Sequence, residues 1–277
     1  MRAAGAVLLC AASAWPGAAS AHAGLDEALG RLDLQLAQAP SAGLWMARAE
    51  RQLQEGLWAP ALEDLAAARR HAMDAGARAQ WGALRGLALE AAGRPDEALA
   101  EVDEALGILP GAGLHRARAR LLGGRGRWTE ALVDLARAQR LDPSPEGCLQ
   151  WAGAAERAGR PAEAERILEA GLAQLGGALP LRLAWVGLLR RTGQPARALG
   201  WVHRAETTWP ASPEWPVLSA ELQLERGHCP GARAALERAG QVLQRRAARG
   251  RGGGLDAPWR ERAAAARARL AAPGGCP

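Results

Sequence analysis

His228 and Cys229 are adjacent, and with Cys276 they make the one trio in this sequence whose residue types suit a metal site or a disulfide. Against that chemistry, Cys229 lies two residues after Gly227, where Trp58 and Trp128 follow Gly56 and Gly126. A thiol packed as a small apolar group is therefore the competing expectation. The remaining histidines, His22, His71, His115 and His203, are scattered. There is no Walker loop, no Gly-x-Ser-x-Gly, no His-Glu-x-x-His and no Cys-x-x-Cys. The reading is of a protein that is no enzyme and needs no cofactor or resident metal.

Composition narrows what must position such groups. The chain has 277 residues, 49% apolar and 23% charged, enough for a substantial buried core. Four cysteines are too few for a fold stapled by disulfides. Lys, Asn, Phe and Tyr are absent while Ala, Arg, Leu and Gly are in excess, the mark of a GC-rich genome, so abundant Arg or Trp proves little alone. The formal charge of +6 falls entirely in residues 245–277, which hold eight Arg against Asp256 and Glu261. A neutral body with a basic tail is a weak footprint for nucleic acid, and no specific nucleic-acid partner is expected.

Met1-Arg2, the apolar run Ala3 to Trp15, Pro16-Gly17 and the small residues Ala18 to Ala23 follow the order of a secretory signal, with cleavage after Ala21 or Ala23. The run is shorter than the roughly 20 residues of a membrane span. No transmembrane segment is expected, and the location is read as periplasmic or secreted, with association to the envelope open. Cys10 would leave with the leader, so of Cys148, Cys229 and Cys276 at least one lacks an intramolecular partner; Cys229 with Cys276 is the candidate disulfide.

Self-comparison shows a repeat. Gly56, Gly93, Gly126, Gly159, Gly193 and Gly227 stand 37, 33, 33, 34 and 34 residues apart, each followed five residues later by Ala. Nine residues after each glycine comes Leu or Val, and twelve after comes Ala or, once, Gly171. Pro110, Pro143 and Pro210 lie seventeen after three of them. This phasing predicts two helices per unit. The glycine ends the first, a proline two residues later (Pro95, Pro161, Pro195) starts the second, and the alanine marks where the two cross closely.

These residues resemble the tetratricopeptide repeat family, best in Gly126-Arg127-Trp128-Thr129-Glu130-Ala131-Leu132 through Leu141-Asp142-Pro143. The resemblance covers about residues 24–246 and is weaker in the first helix of each unit, where Gly86 and Leu89 are its clearest trace. It implies an all-α, right-handed solenoid of helical hairpins, a superhelix of about six repeats. A lone second helix precedes them, because Leu25-Asp26-Glu27-Ala28-Leu29 matches Pro95-Asp96-Glu97-Ala98-Leu99. The expected boundaries are a leader at 1–23, repeats at 24–246, an Arg/Gly-rich linker at 247–256 and a capping or tail helix at 257–277, with Trp259, Ala263, Ala266 and Leu270 on one face.

In the family's geometry first helices line a concave groove. That places Arg116, Arg120, Glu156, Arg157, Arg190 and Arg191 as candidate partner-binding residues, an anion-reading strip or, alternatively, a solvated arginine surface. The family's carboxylate clamp uses Lys and Asn, absent here, so that activity is not implied. In the repeat register Trp45, Trp58, Trp128, Trp151 and Trp185 fall at core places, whereas Trp81, Trp201, Trp209 and Trp215 are less constrained. The leading expectation is an extracytoplasmic scaffold or adaptor for a protein or peptide partner. The alternative is a binder of envelope glycans or anionic polymers that uses exposed Trp and the basic tail; a metal or redox module built on His228, Cys229 and Cys276 is the third.

Overall fold

The computed structural model describes residues 18–176, 178–250 and 253–272, with side chains from residue 27 onward. Most of the expected leader, Cys10 and Cys276 lie outside the described residues. Described residues form fourteen α-helices, one short 3-10 turn and no strand. The chain divides into two compact units, Met1–Asp142 and Pro143–Pro277. The first contains α1 (Ala18–Gln38), α2 (Ala42–Gln54), α3 (Trp58–Ala68), α4 (Ala75–Ala91), α5 (Pro95–Ile108), α6 (Ala112–Gly124) and α7 (Trp128–Leu141). The second contains α8 (Pro145–Arg157), α9 (Pro161–Gln174), α10 (Leu179–Arg191), α11 (Pro195–Thr208), α12 (Glu214–Glu225), α13 (Cys229–Ala248) and α14 (Ala257–Ala271).

Within each unit the helices pair as hairpins, α2–α3, α4–α5 and α6–α7 in the first and α8–α9, α10–α11 and α12–α13 in the second. The six phased glycines close all six turns. Each has φ between 68° and 76°, the left-handed region that a side chain disfavours. In the third turn Gly126 N–H donates to Gly123 O and Arg127 N–H reaches back to Leu122 O, both at 3.0 Å, which satisfies carbonyls the ended helix would leave open. The same back-bond closes the other five turns. Pro95, Pro161 and Pro195 open α5, α9 and α11, where the missing N–H is unused.

Close approach explains the small residues. The six alanines five residues after the turn glycines are all 0% exposed, and the Leu or Val four residues further on is buried in every hairpin. On α4 the matching small residues are glycines: a Cβ added at Gly86 would lie 2.6 Å from Val102 Cγ2, and one at Gly82 would lie 2.9 Å from Ala105 Cβ. In the next hairpin Gly123 leaves room for the Trp128 ring, to which an added Cβ would come within 2.4 Å. The longer interval between Gly56 and Gly93 is taken up by α4, 17 residues against the 13 of α2 and α6.

A second regularity relates α1–α3 to α5–α7. Asp33, Arg48, Trp58 and Asp64 recur seventy residues later as Asp103, Arg118, Trp128 and Asp134. The face that α5 buries against α4 through Val102 and Ala105 carries Leu32 and Gln35 on α1, and Glu101 becomes Arg31. Leu32 is half-buried there, and Gln35 and Arg31 are exposed.

In the second unit α14 lies against α12 and α13. It buries Ala263 and Ala266 beside Val217, Leu224 and Leu236, with Trp259 and Leu270 partly covered. The segment read as a 247–256 linker is described in part. Residues 247–248 complete α13, and Gly254–Asp256 form the 3-10 turn, whose Asp256 is buried and bonded to Arg246.

Alanine is the better helix former by about 1 kcal/mol, yet Gly86→Ala should destabilise the protein by roughly 1–3 kcal/mol, because Val102 must move. Gly107→Ala, with open space around the added Cβ, should stabilise or leave it unchanged. Urea unfolding of both variants checks the sign.

Candidate functional site

The exposed face of the first helices is built on ion pairs within the hairpins. In each hairpin of the first unit, an Arg eight residues before the turn glycine meets a carboxylate eight residues after it. Arg48 Nε and Nη2 donate to Asp64 at 2.7 and 2.6 Å, and Arg118 does the same to Asp134 at 2.8 and 2.7 Å. Arg85 pairs with Glu101. Arg48 and Arg118 also reach back to Asp33 and Asp103 on the preceding second helix, the latter at 2.8 Å. These bonds, most strongly those to Asp64 and Asp134, hold both guanidiniums above their ordinary pKa against the opposing effect of burial. Asp134 is buried and accepts a third bond from His115, whose Nδ1 lies 2.8 Å away. With Nε, Nη1 and Nη2 of Arg118 all engaged, this cluster orders helices and offers little to a substrate.

A second set of pairs runs between successive first helices. Arg120 on α6 binds Glu90 on α4 with Nε 3.0 Å from both carboxylate oxygens. In the second unit Arg191 on α10 binds Glu156 on α8 at 2.8–2.9 Å. Arg190 on α10 turns to α12, 3.2 Å from Glu221 and also bonded to Glu225. Glu221 in turn accepts from Arg262 on α14 at 2.7 and 2.8 Å, so α14 continues the series.

The structure therefore gives the six sequence-picked residues definite companions. Arg116 pairs with Asp142 at 2.9 Å, at the end of α7, rather than with a neighbouring first helix. Arg120, Arg190 and Arg191 are rungs between first helices, Glu156 accepts one of them, and Arg157 is also engaged. Arg116 and Arg120 belong to the first unit and the other four to the second. Sequence reasoning missed the carboxylates Glu90, Asp142, Glu221 and Glu225. The signal was partial: Glu90, Glu221 and Glu225 lie 30–35 residues from their arginines, near one repeat length, whereas Asp142 lies 26 away.

The tryptophan expectations hold only in part, since Trp45 and Trp185 do pack against buried clusters. Trp58, read as core, is 41% exposed at the first turn of α3, and Trp45, Trp128, Trp151 and Trp185 are half-buried. Trp81 and Trp215, read as less constrained, are the buried ones. Trp81 donates Nε1–H to Leu65 O at 2.8 Å in the preceding hairpin. Trp215, 1% exposed, closes a chain of ring contacts with Trp201 at 5.7 Å and Trp209 at 6.1 Å. Arg182 covers the Trp209 ring at 3.6 Å. The loop between Trp209 and Trp215 thus presents no paired exposed indoles for a glycan.

His228 Nδ1 lies 3.1 Å from Gln223 Oε1, and among the described residues no three His, Cys, Asp or Glu side chains converge as metal ligands. Cys229 is disulfide-bonded, and its expected partner Cys276 lies outside the described residues. Cys148 is a buried thiol whose Sγ lies 3.4 Å from Ile167 O, and burial pushes its pKa up. No helix of the described residues is long and apolar enough to cross a membrane.

Comparison with solved structures places this fold. A tetratricopeptide repeat protein from Parabacteroides merdae superposes with a TM-score of 0.52 at 17% identity, over 88% of this chain and 92% of that one. The C-terminal part of a TPR repeat-containing protein from Cytophaga hutchinsonii gives 0.64 at 12% identity, over 79% and 90%. PilW, a widely conserved type IV pilus biogenesis factor, gives 0.52 at 16%, over 71% and 91%. The chain therefore has the helical-hairpin fold of tetratricopeptide repeat proteins. No family model matches the sequence, and no curated protein matches it either.

Truncating Arg118 to Leu leaves Asp134 buried with only His115 opposite, so a loss of about 3 kcal/mol is expected. Arg118→Leu combined with Asp134→Leu should lose less than the sum of the single changes, by about 1–3 kcal/mol. Strict additivity in chemical denaturation would show that the pair is not coupled.

Proposed function

We propose that this protein is an extracytoplasmic scaffold that binds a protein or peptide partner through the exposed first-helix faces of its units and performs no chemistry. The observation that carries the reading is the set of accessible charge pairs on that face. Arg120 and Arg191 are 53% and 60% exposed at the side chain, each held across to the adjacent first helix. Such exposed pairs contribute little to stability, typically 0–1 kcal/mol. They are free to exchange a built-in carboxylate for one on a partner, and Arg keeps its planar fork for that purpose. An extended segment carrying acidic residues is the partner this chemistry fits. The extracytoplasmic placement rests on the leader-like order of residues 1–23, and the fold is shared with PilW, a type IV pilus biogenesis factor.

The same reading pairs Cys229 with Cys276, which would tie the chain beyond α14 to the start of α13. Thiol titration in denaturant without reductant, on the chain lacking its leader, should then count one reactive thiol, Cys148, and three after reduction. Three before reduction removes the disulfide.

For the binding face, affinity capture from native envelope should recover partners with the wild-type chain that a variant carrying Arg116→Glu, Arg120→Glu and Arg190→Glu does not. Thermal melting of the variant guards against a folding defect. Equal recovery by two well-folded proteins would sink the assignment.

A further inference from the structure

The tail arginines separate by what holds them. Arg246 Nε lies 2.9–3.0 Å from both carboxylate oxygens of Asp256, itself 1% exposed. Arg262 grips Glu221, and Arg267 donates to Leu236 O at 3.3 Å. These three fasten α14 and the turn before it to the rest of the unit. Arg245 and Arg249 do not share that task. Four residues apart, Arg245 in the last turn of α13 and Arg249 at its C-cap, they join Arg246, Pro210, Ala211 and Val242 in lining a cleft of about 180 Å³ beside the loop that follows α11.

The lining contains three guanidiniums and no carboxylate. Asp256 and Glu214 act on Arg246, and Arg246 Nη1 also lies 3.4 Å from Ala211 O, which fixes that guanidinium at the cleft edge. Trp209, the residue before Pro210, is covered by Arg182, and neither of the two lines the cleft. Like charges gathered on one small opening repel unless an anion enters. The partly apolar wall of Pro210, Ala211 and Val242 limits the competing hydration and strengthens whatever charge pairing forms. Clefts for drug-sized ligands run about 300–1,000 Å³, so this one suits a single small group.

We propose that this cleft is a phosphate-binding site. A tetrahedral dianion offers several acceptor oxygens to converging guanidinium forks and offsets more of their charge than a carboxylate does. The site lies apart from the first-helix face, so it does not depend on the partner-binding reading. The phosphate is either free or borne on a polymer.

Calorimetric titration of the whole chain, at low salt in phosphate-free buffer, tests it with two probes, inorganic phosphate and short-chain polyphosphate. Two charge-matched variants accompany the wild type. Arg245→Gln with Arg249→Gln removes two of the three cations of the cleft, Arg245 being held through Nε to the Gln241 backbone carbonyl at 3.2 Å rather than to a carboxylate, whereas Arg204→Gln with Arg233→Gln removes equal charge from exposed positions elsewhere on the unit. Saturable binding of one phosphate per chain is expected, weakened about tenfold or more in the first variant and unchanged in the second. Polyphosphate bound more tightly than phosphate, and lost in the same variant, identifies a polymer-borne group as the natural source; polyphosphate bound no more tightly identifies free phosphate. Absence of saturable phosphate binding by the wild type overturns the proposal, and so does equal weakening in both variants.

Discussion

Every hairpin in this protein depends on two helices crossing where neither has a side chain larger than the gap allows. The buried alanine five residues after each turn glycine is one half of that constraint. The other half lies seven residues before the glycine, where Ala49, Gly86, Ala119, Ala152 and Ala220 recur, with Val186 in the remaining hairpin. Small residues on both sides bring the backbones together, and the next positions out then face each other at a fixed separation. That separation decides what pairs can form between residues sixteen apart. In the first unit Arg meets a carboxylate there three times; in the second, Trp185 meets Trp201 with ring centres 5.8 Å apart. The remaining second-unit positions are Trp151 with Ile167 and Ser219 with Ala235. An arginine never faces an apolar residue at this place, as expected if the cost of stranding a half-buried charge governs the choice.

This view accounts for what the sequence made legible. The turn glycines and crossing alanines are strictly local demands: a positive φ at Gly126 or the absence of space at Ala98 is imposed by the hairpin itself, so each recurs at a constant offset. The charged face was legible only in part. Arg116, Arg120, Arg190 and Arg191 could be placed on first helices by counting from the glycines, but their partners sit on neighbouring elements, where the offset varies from 26 to 35 residues. Arg116 shows the consequence, since it shares a helix face with Arg120 but bonds the end of α7 instead of the next first helix.

The tryptophans fail for a related reason. Register within a repeat fixes which face an indole occupies, and on that ground Trp58 belongs with the packed positions. Burial depends on what the neighbouring hairpin supplies. Trp81 is covered because Leu65 O and the side chains of Arg69 and Arg85 lie around its ring, and Trp215 because Trp201 and Trp209 reach it from the hairpin before. Trp58, at the first turn of α3, has no such cover and stays open. In a chain without Phe or Tyr, indoles fill both kinds of position, so residue type carries no hint of which is which.

The arginines likewise divide by role although one compositional bias supplied them all. Those inside hairpins, such as Arg118, are saturated by two carboxylates and set how successive helices lie. Those between first helices, such as Arg120 and Arg191, are held by one carboxylate in reach of water. The distinction matters for recognition. A ligand cannot profitably compete for Arg118, because withdrawing its guanidinium would strand the buried Asp134. At Arg191 the displaced Glu156 carboxylate returns to solvent at small cost. What an arginine here can offer an anion is therefore governed less by how many arginines there are than by which of them can release an internal carboxylate without exposing or orphaning a buried one.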